Sequence, residues 1–383
     1  MDTNLSYIYR CIAWSLPNLT DHRRFPTQPV PNNPERLMPL PPGSPLVVGP
    51  VTITHQQKSS QQPLESFLQQ SGTTSFLIIH RNKLIYENYF DGYTANNVVT
   101  SLSVTHALVS ALVGIALSEG VLPGLDSPVL AQLPELANHI SPALTIRHLL
   151  CMSSGLLYRE GGMPWCDEAR IQYSSDLRQQ LLQCESIEPS GRYYHYNAYN
   201  LLLLGRLLEN ATGLTVPDYC SQKLWSRMGT EQPASWNIDS NSSGFAKLDT
   251  GFNATARDFA RFGLLYLNQG QFENQQIVPE AWIKQSTSTP LFDEAADYKR
   301  YLSRDKPPLG QWISSPIGYY KYLWWGYHNG PHQEADFFAL GDRGQFIYCS
   351  PLHETVIVRF GKRWGNIDWW PVLFRELIAK MNA

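Results

Sequence analysis

The sequence is poor in the features that mark most ligand classes. Its six cysteines, Cys11, Cys151, Cys166, Cys184, Cys220 and Cys349, are scattered without a paired short spacing, so neither a zinc site nor a Cys-x-x-Cys redox pair is expected. No run approaches the ~18 consecutive apolar residues that a membrane-spanning helix needs. The N-terminal stretch MDTNLSYIYRCIAWSLPNLTD has no basic start and carries Arg10 inside its one apolar patch, a poor secretory signal, and a cytoplasmic location is therefore the expectation. Basic runs interleaved with aromatics are missing and the net charge is -3, which speaks against nucleic acid and for a small neutral partner. There is no phosphate-cradling glycine motif, no dinucleotide fingerprint and no Gly-x-Ser-x-Gly elbow. His328 and His332 flank Asn-Gly-Pro in what reads as a loop, so no metal is expected, and no cofactor is implied.

What remains is an ordinary globular composition, 43% hydrophobic and 16% charged over 383 residues, enough for two lobes and a large core. The stretch organising the chain is Ser101–Gly120, SLSVTHALVSALVGIALSEG, a small-residue turn feeding a nearly apolar helix. A buried helix start leaves its first amides without partners, so Ser101, Ser103, Thr105 and His106 have either a capping task or a chemical one. Ser103 and His106 are three apart, which places them on one helical face. Such a pair is more often structural than catalytic. A serine acts as a nucleophile only when a base takes its proton and amides receive the oxyanion, and a helix start with a histidine one turn away offers both.

Residues 1–60, rich in Pro, Asn, Ser and Gln, read as an extended wrap with little core of its own. A short helix from Leu64 precedes SFLIIHRNKLIYENYF, a hairpin turning at Arg81-Asn82-Lys83. Beyond the Ser103 helix, helices are expected at LTIRHLL, over 170–185, in the run closed by Gly213, and after Thr255, an N-cap with Asp258 three residues on. From Tyr319 the pattern turns to strands, closed by a last helix, PVLFRELIAKM. The fold class is therefore α/β in the α+β sense. An antiparallel sheet built from both chain ends and flanked by helices (61–145 and 270–383) carries an inserted, mainly helical lobe (146–269), with a cleft between them.

Five blocks, SVTHALVSALVGIALSEG, LTIRHLLCMSSGL, YHYNAYNLLLLGRLLENATG, NATARDFARFGLLYLNQGQFENQQIVPEAW and FFALGDRGQFIYCSP, occur in an order and spacing that resemble the serine β-lactamase-like hydrolases. That family includes class C β-lactamases, penicillin-binding-protein-like esterases and 6-aminohexanoate-dimer hydrolases. The resemblance covers roughly residues 65–365. It implies a β-lactamase/transpeptidase-like fold and a serine hydrolase forming an acyl-enzyme on Ser103. It also implies a proton-transferring Tyr196 and an oxyanion hole made by the amides of Ser103 and Asp342. Tyr194, on the same side of an extended segment as Tyr196, and Gly341 and Gly344, which allow close backbone approach, are the expected substrate contacts.

The departures are equally informative. His106 stands where the family has lysine; with an unperturbed pKa of ~6.5 it would act as a base near neutrality, so that kcat/KM rises through ~6–7. The Tyr motif reads Tyr196-Asn197-Ala198, and the third motif falls on Ala339-Leu340-Gly341, which lacks a cation to hold a β-lactam carboxylate. The substrate class expected is thus an ester or a small amide. The competing expectation is a catalytically impaired relative that keeps the cleft for binding or scaffolding. Trp324-Trp325 and Trp369-Trp370 read as packing, with one wall of the cleft available from the first pair. Oligomeric state is not legible.

Overall fold

The computed structural model describes residues 5–14, 16–290, 296–298, 300, 312–313, 315–330 and 333–381; His332 and much of the 286–316 segment lie outside these. The principal sheet has seven strands, in the order Gly318–Lys321, Trp324–Tyr327, Asp336–Gly341, Gln345–Ser350, Thr355–Gly361, Thr73–His80 and Lys83–Tyr89. Every pairing is antiparallel. The two chain ends meet where Thr73–His80 pairs with Thr355–Gly361, as the strand-rich termini implied. The first hairpin turns through Arg81 and Asn82 at φ 50° and 61°, the left-handed pair that a tight two-residue turn requires.

Alternation along the strands sorts the two faces. Phe346 and Tyr348 pack on Phe374 of the C-terminal helix Trp370–Met381. On the other face, Ile347 and Val356 lie under the helix Ala256–Leu267 at Gly263, where a Cβ would come within 2.6 Å of Val356. A helix on each face leaves the central strands Asp336–Gly341, Gln345–Ser350 and Thr355–Gly361 fully buried, which is why they read as aromatic and β-branched runs. Thr255 caps its helix as expected, its side chain accepting from the Asp258 amide at 3.2 Å, and Gly213 closes Tyr199–Thr212 at φ 68°.

A second, four-stranded sheet, ordered Thr27–Val30, Ala234–Asn237, Phe252–Thr255 and Val98–Thr100, delivers the chain to the Ser103 turn. The N-terminal segment is more ordered than its proline punctuation implies. Leu5–Trp14 is helical, because Tyr7 and Cys11 sit one turn apart and bury with Trp14 against Phe25, Ala169 and Tyr173. Thr27–Val30 accepts Pro29 because it is an edge strand. The single helix expected over 170–185 is instead two, Asp167–Tyr173 and Leu177–Leu181; Asp176 accepts from the Gln179 amide at 2.9 Å and so starts a new helix after Ser174. Among the described residues no helix is long and apolar enough to cross a membrane.

Candidate active site

Ser103 lies in the turn Leu102–Val104 between the strand Val98–Thr100 and the helix Thr105–Ser118. The helix is buried from Thr105 to Ala116, and Gly114 admits the Trp282 ring, which a Cβ would meet at 2.2 Å. Leu102 is held at φ 53°, a left-handed conformation costing a bulky residue ~1–3 kcal/mol. That strain is sustained by neighbours. The Ser101 amide donates to the Phe252 carbonyl at 2.9 Å, and Thr105 Oγ1 accepts from the Phe252 amide at 3.1 Å while bonding Ser101 Oγ at 3.0 Å. Ser101 and Thr105 therefore do the structural work. Ser103 is half-buried, the helix has no side-chain cap, and among the described residues none hydrogen-bonds the Ser103 hydroxyl.

One turn on, His106 is buried. Its Nε2 is 2.9 Å from the carbonyl oxygen of Asp249 and its Nδ1 is 3.0 Å from the Tyr196 hydroxyl. A carbonyl only accepts, so Nε2 carries the proton. Burial pushes the His106 pKa down to about 3, against a smaller upward pull from the Asp249 carbonyl, so the ring is neutral and Nδ1 is an acceptor. Tyr196 is consequently the donor to Nδ1. Both imidazole nitrogens are engaged, and neither is left to bond Ser103 directly. The rise through ~6–7 expected of an unperturbed histidine does not follow, because complete desolvation moves its titration far below that range.

Tyr196 is half-buried, with its ring stacked on Trp325 at 5.8 Å and on His106 at 5.3 Å. Tyr194 shares that side, as the extended spacing implied, but it is only 2% exposed and wedged edge-on against Tyr298, Tyr320 and Trp325. It therefore backs the Tyr196 wall, where a substrate contact had been expected. His195 turns the other way, toward Glu160 at 3.3 Å. Asn197 is consumed structurally: its Nδ2 donates to the Leu156 carbonyl at 3.1 Å and its Oδ1 accepts from the Tyr199 amide at 2.9 Å.

The third motif meets the Ser103 turn at Gly341, the last residue of Asp336–Gly341. A Cβ on Gly341 would stand 2.9 Å from the Ser101 carbonyl and 3.2 Å from the Ser103 amide, so only glycine lets the two backbones approach this closely. Asp342, next in the chain, is exposed. Gly344 does something other than admit a substrate: at φ 79°, it faces Arg359, whose guanidinium a Cβ would meet at 2.6 Å. Among the described residues, no group of three or more His, Cys, Asp or Glu side chains is placed to hold a metal, and His328 bonds Thr289 Oγ1 at 3.2 Å. Sequence reasoning missed Asp249 because it acts through a main-chain carbonyl, which no side-chain pattern reveals.

The fold has known counterparts. A 6-aminohexanoate-dimer hydrolase from Paenarthrobacter ureafaciens is 24% identical over 317 residues, spanning 80% of this chain and 76% of that protein. A structure from Bacillus anthracis, named for the same hydrolase, superposes with a TM-score of 0.79 at 22% identity, over 94% of this chain and 92% of its own. EstCE1, described as a hydrolase with promiscuous acyltransferase activity, gives 0.61 at 14% identity over 82% and 96%. At such identities the structural likeness speaks for the fold alone. The beta-lactamase family model, in contrast, matches residues 64–367, which run from the first helix of the principal sheet through the Ser103, Tyr196 and Gly341 segments to the last strand, and the chain belongs to the beta-lactamase family.

Proposed function

We propose that the protein is a serine hydrolase that cleaves an ester or a small amide through an acyl-enzyme on Ser103. The observation that carries this reading is the hydrogen-bonded line from the Tyr196 hydroxyl through His106 to the Asp249 carbonyl, one turn from Ser103. In acylation, Ser103 Oγ bonds to the substrate carbonyl carbon and its proton passes to the Tyr196 oxygen. The phenolic proton shifts to His106 Nδ1. The amides of Ser103 and Asp342 receive the oxyanion. On collapse the bond to the leaving group breaks, the leaving group takes a proton from Tyr196, and Tyr196 recovers one from His106. Water then repeats the sequence, releasing the acid and restoring Ser103.

His106 thus replaces the family's lysine as a neutral acceptor behind Tyr196. With its pKa near 3 it accepts a proton weakly, and the developing oxyanion must help stabilise the imidazolium in this dry site. Substrates whose leaving group needs little protonation are favoured, so an ester is turned over faster than an amide. Ala339 and Leu340 offer no cation, which disfavours a β-lactam carboxylate. The name of the Paenarthrobacter ureafaciens relative supports hydrolysis, and its substrate remains a statement about that protein.

A second reading, a cleft kept for binding without turnover, is favoured by the same depressed pKa, since nothing at position 106 supplies a strong base. Turnover of p-nitrophenyl acetate and butyrate by the wild type and Ser103→Ala separates the two. Activity lost in the variant supports the hydrolase; equal rates in both support the binding protein.

A further inference from the structure

The turn Asp342–Gly344 presents the amide assigned above to the oxyanion, and an unusual amount of buried polar chemistry is aimed at it. Gln345 is fully buried. Its Nε2 donates to the Asp342 carbonyl and to the Gly361 carbonyl, both at 2.8 Å, and its Oε1 accepts from the Gly361 amide at 2.8 Å. Arg359, also fully buried, uses all five of its N–H groups on uncharged oxygens. Nη1 donates to the carbonyls of Arg343 at 3.0 Å and Gly344 at 2.5 Å, Nη2 to those of Arg363 at 2.9 Å and Ser71 at 3.5 Å, and Nε to Thr73 Oγ1 at 3.0 Å. The guanidinium lies 4.0 Å over the Trp370 ring.

Two glycines make room for it. A Cβ on Gly344 would fall 2.6 Å from Arg359 Nη1, and one on Gly361 2.6 Å from Nη2. Burying a guanidinium without a carboxylate partner is costly, and the cost is offset here by five bonds, two of which fall on successive carbonyls of the turn, Arg343 and Gly344. Arg343 at the centre of that turn is held left-handed, φ 61° and ψ 12°. The carbonyls of Asp342, Arg343 and Gly344 are each gripped from behind. The peptide planes that follow Asp342, Arg343 and Gly344 are therefore fixed, and the Asp342 amide, one Cα before the first of them, is anchored from its C-terminal side, next to Gly341, where a Cβ would stand 3.2 Å from the Ser103 amide.

We propose that Gln345 and Arg359 are positioning residues for catalysis: together they brace the Asp342–Gly344 turn so that the Asp342 amide is held beside that of Ser103, ready for the oxyanion. This rests on the hydrolase reading. The brace touches no substrate, and its effect is confined to how well two amides are aligned when charge develops.

The test uses the full-length protein with a p-nitrophenyl ester, Gln345→Glu and Gln345→Met, and Arg359→Lys. Gln345→Glu is nearly isosteric but loses the N–H groups that hold Asp342 and Gly361. Expected is a fall in kcat of about 10²-fold, the size of effect that follows from an ångström-scale misplacement, with KM changed by less than about threefold. Arg359→Lys, which keeps the charge but not the five-donor fork, should fall between Gln345→Glu and wild type. Inhibition by a trifluoromethyl ketone, whose adduct carries an oxyanion, should weaken in parallel with kcat.

A purely structural role gives a different pattern: a lowered melting temperature with kcat and ketone affinity at wild-type values overturns the proposal while the hydrolase reading stands. If Gln345→Met does not fold, the glutamate and lysine variants decide. A wild type that neither turns over ester nor binds the ketone overturns the hydrolase reading, and the brace with it.

Discussion

The hydroxyl of Tyr196 donates to Nδ1 of His106 across 3.0 Å, so the histidine that replaces the family's lysine serves the tyrosine and not the serine. The opposite nitrogen, Nε2, is tied to the Asp249 carbonyl, which fixes the tautomer and the ring plane together. Lysine would place a longer, flexible amine at this point; histidine places a flat, neutral acceptor. In the proposed mechanism the proton therefore ends on an imidazole whose basicity is set by burial.

Replacing Ser103 by alanine is expected to abolish ester hydrolysis while leaving the fold intact. No described residue hydrogen-bonds its hydroxyl, and Ser101 and Thr105 tie down the turn without it. The melting temperature should therefore stay within the range of an ordinary surface change, about ±0.5 kcal/mol in stability. Full activity in the variant would assign nucleophilic chemistry elsewhere.

Tyr196→Phe keeps the ring on Trp325 and removes only the donor to His106. The rate is expected to fall by ~10²–10⁴-fold, the range for a general acid or base. The variant also leaves Nδ1 of a buried ring unsatisfied, so stability should drop by about 1–3 kcal/mol. A stability loss with unchanged kcat would make Tyr196 a packing residue.

Acid should destabilise the fold through His106. Its native pKa is about 3 and its unfolded value is near 6.5, so between those limits the unfolded chain binds a proton that the native state does not. Stability is fully present above pH ~6.5 and falls as pH drops toward 3, with a slope approaching ~1.4 kcal/mol per pH unit for this group. His22, His80, His148 and His328 are shifted in the same direction by burial and add to the slope. Urea unfolding of wild type and His106→Asn between pH 4 and 7 isolates the His106 contribution, and identical slopes would contradict the shift. Over about pH 5.5–8, kcat/KM should show no step from this imidazole.

Substitutions at His106 separate a working partner from decay. His106→Ala is expected to cost ~10²-fold or more in kcat/KM with KM little changed, because the acceptor behind Tyr196 is lost. His106→Lys should not exceed the wild type, since desolvation at this site would also hold an amine neutral and only partly restore the proton path. A rise above wild type on introducing lysine would favour the impaired-relative reading.

Much of the architecture was legible because it rests on local signals. Strand periodicity from Tyr319 onward, the Arg81-Asn82 turn, the Thr255 cap and the Gly213 terminus all appear where residue type alone places them. The N-terminal helix was hidden because its pairing partners, Phe25, Ala169 and Tyr173, are distant in sequence. The split at Ser174–Asp176 was hidden because a strong N-cap in mid-pattern outweighed continuous amphipathicity. At the site, Ser103 and His106 were candidates from their helical spacing and Tyr196 from the family resemblance. Which nitrogen bonds what could not, because the deciding partner is a backbone carbonyl brought in from residue 249. The depth of Tyr194 was hidden for a related reason: alternation sets the side of a strand but not how far other aromatics bury it.

The central claim is that Ser103 is a reactive nucleophile, and intact-protein mass after exposure to a fluorophosphonate tests it most directly. One covalent adduct per wild-type chain, mapped by peptide analysis to Ser103 and missing from Ser103→Ala, is the expected result. An unmodified wild type, or an adduct that persists in Ser103→Ala, would contradict the claim.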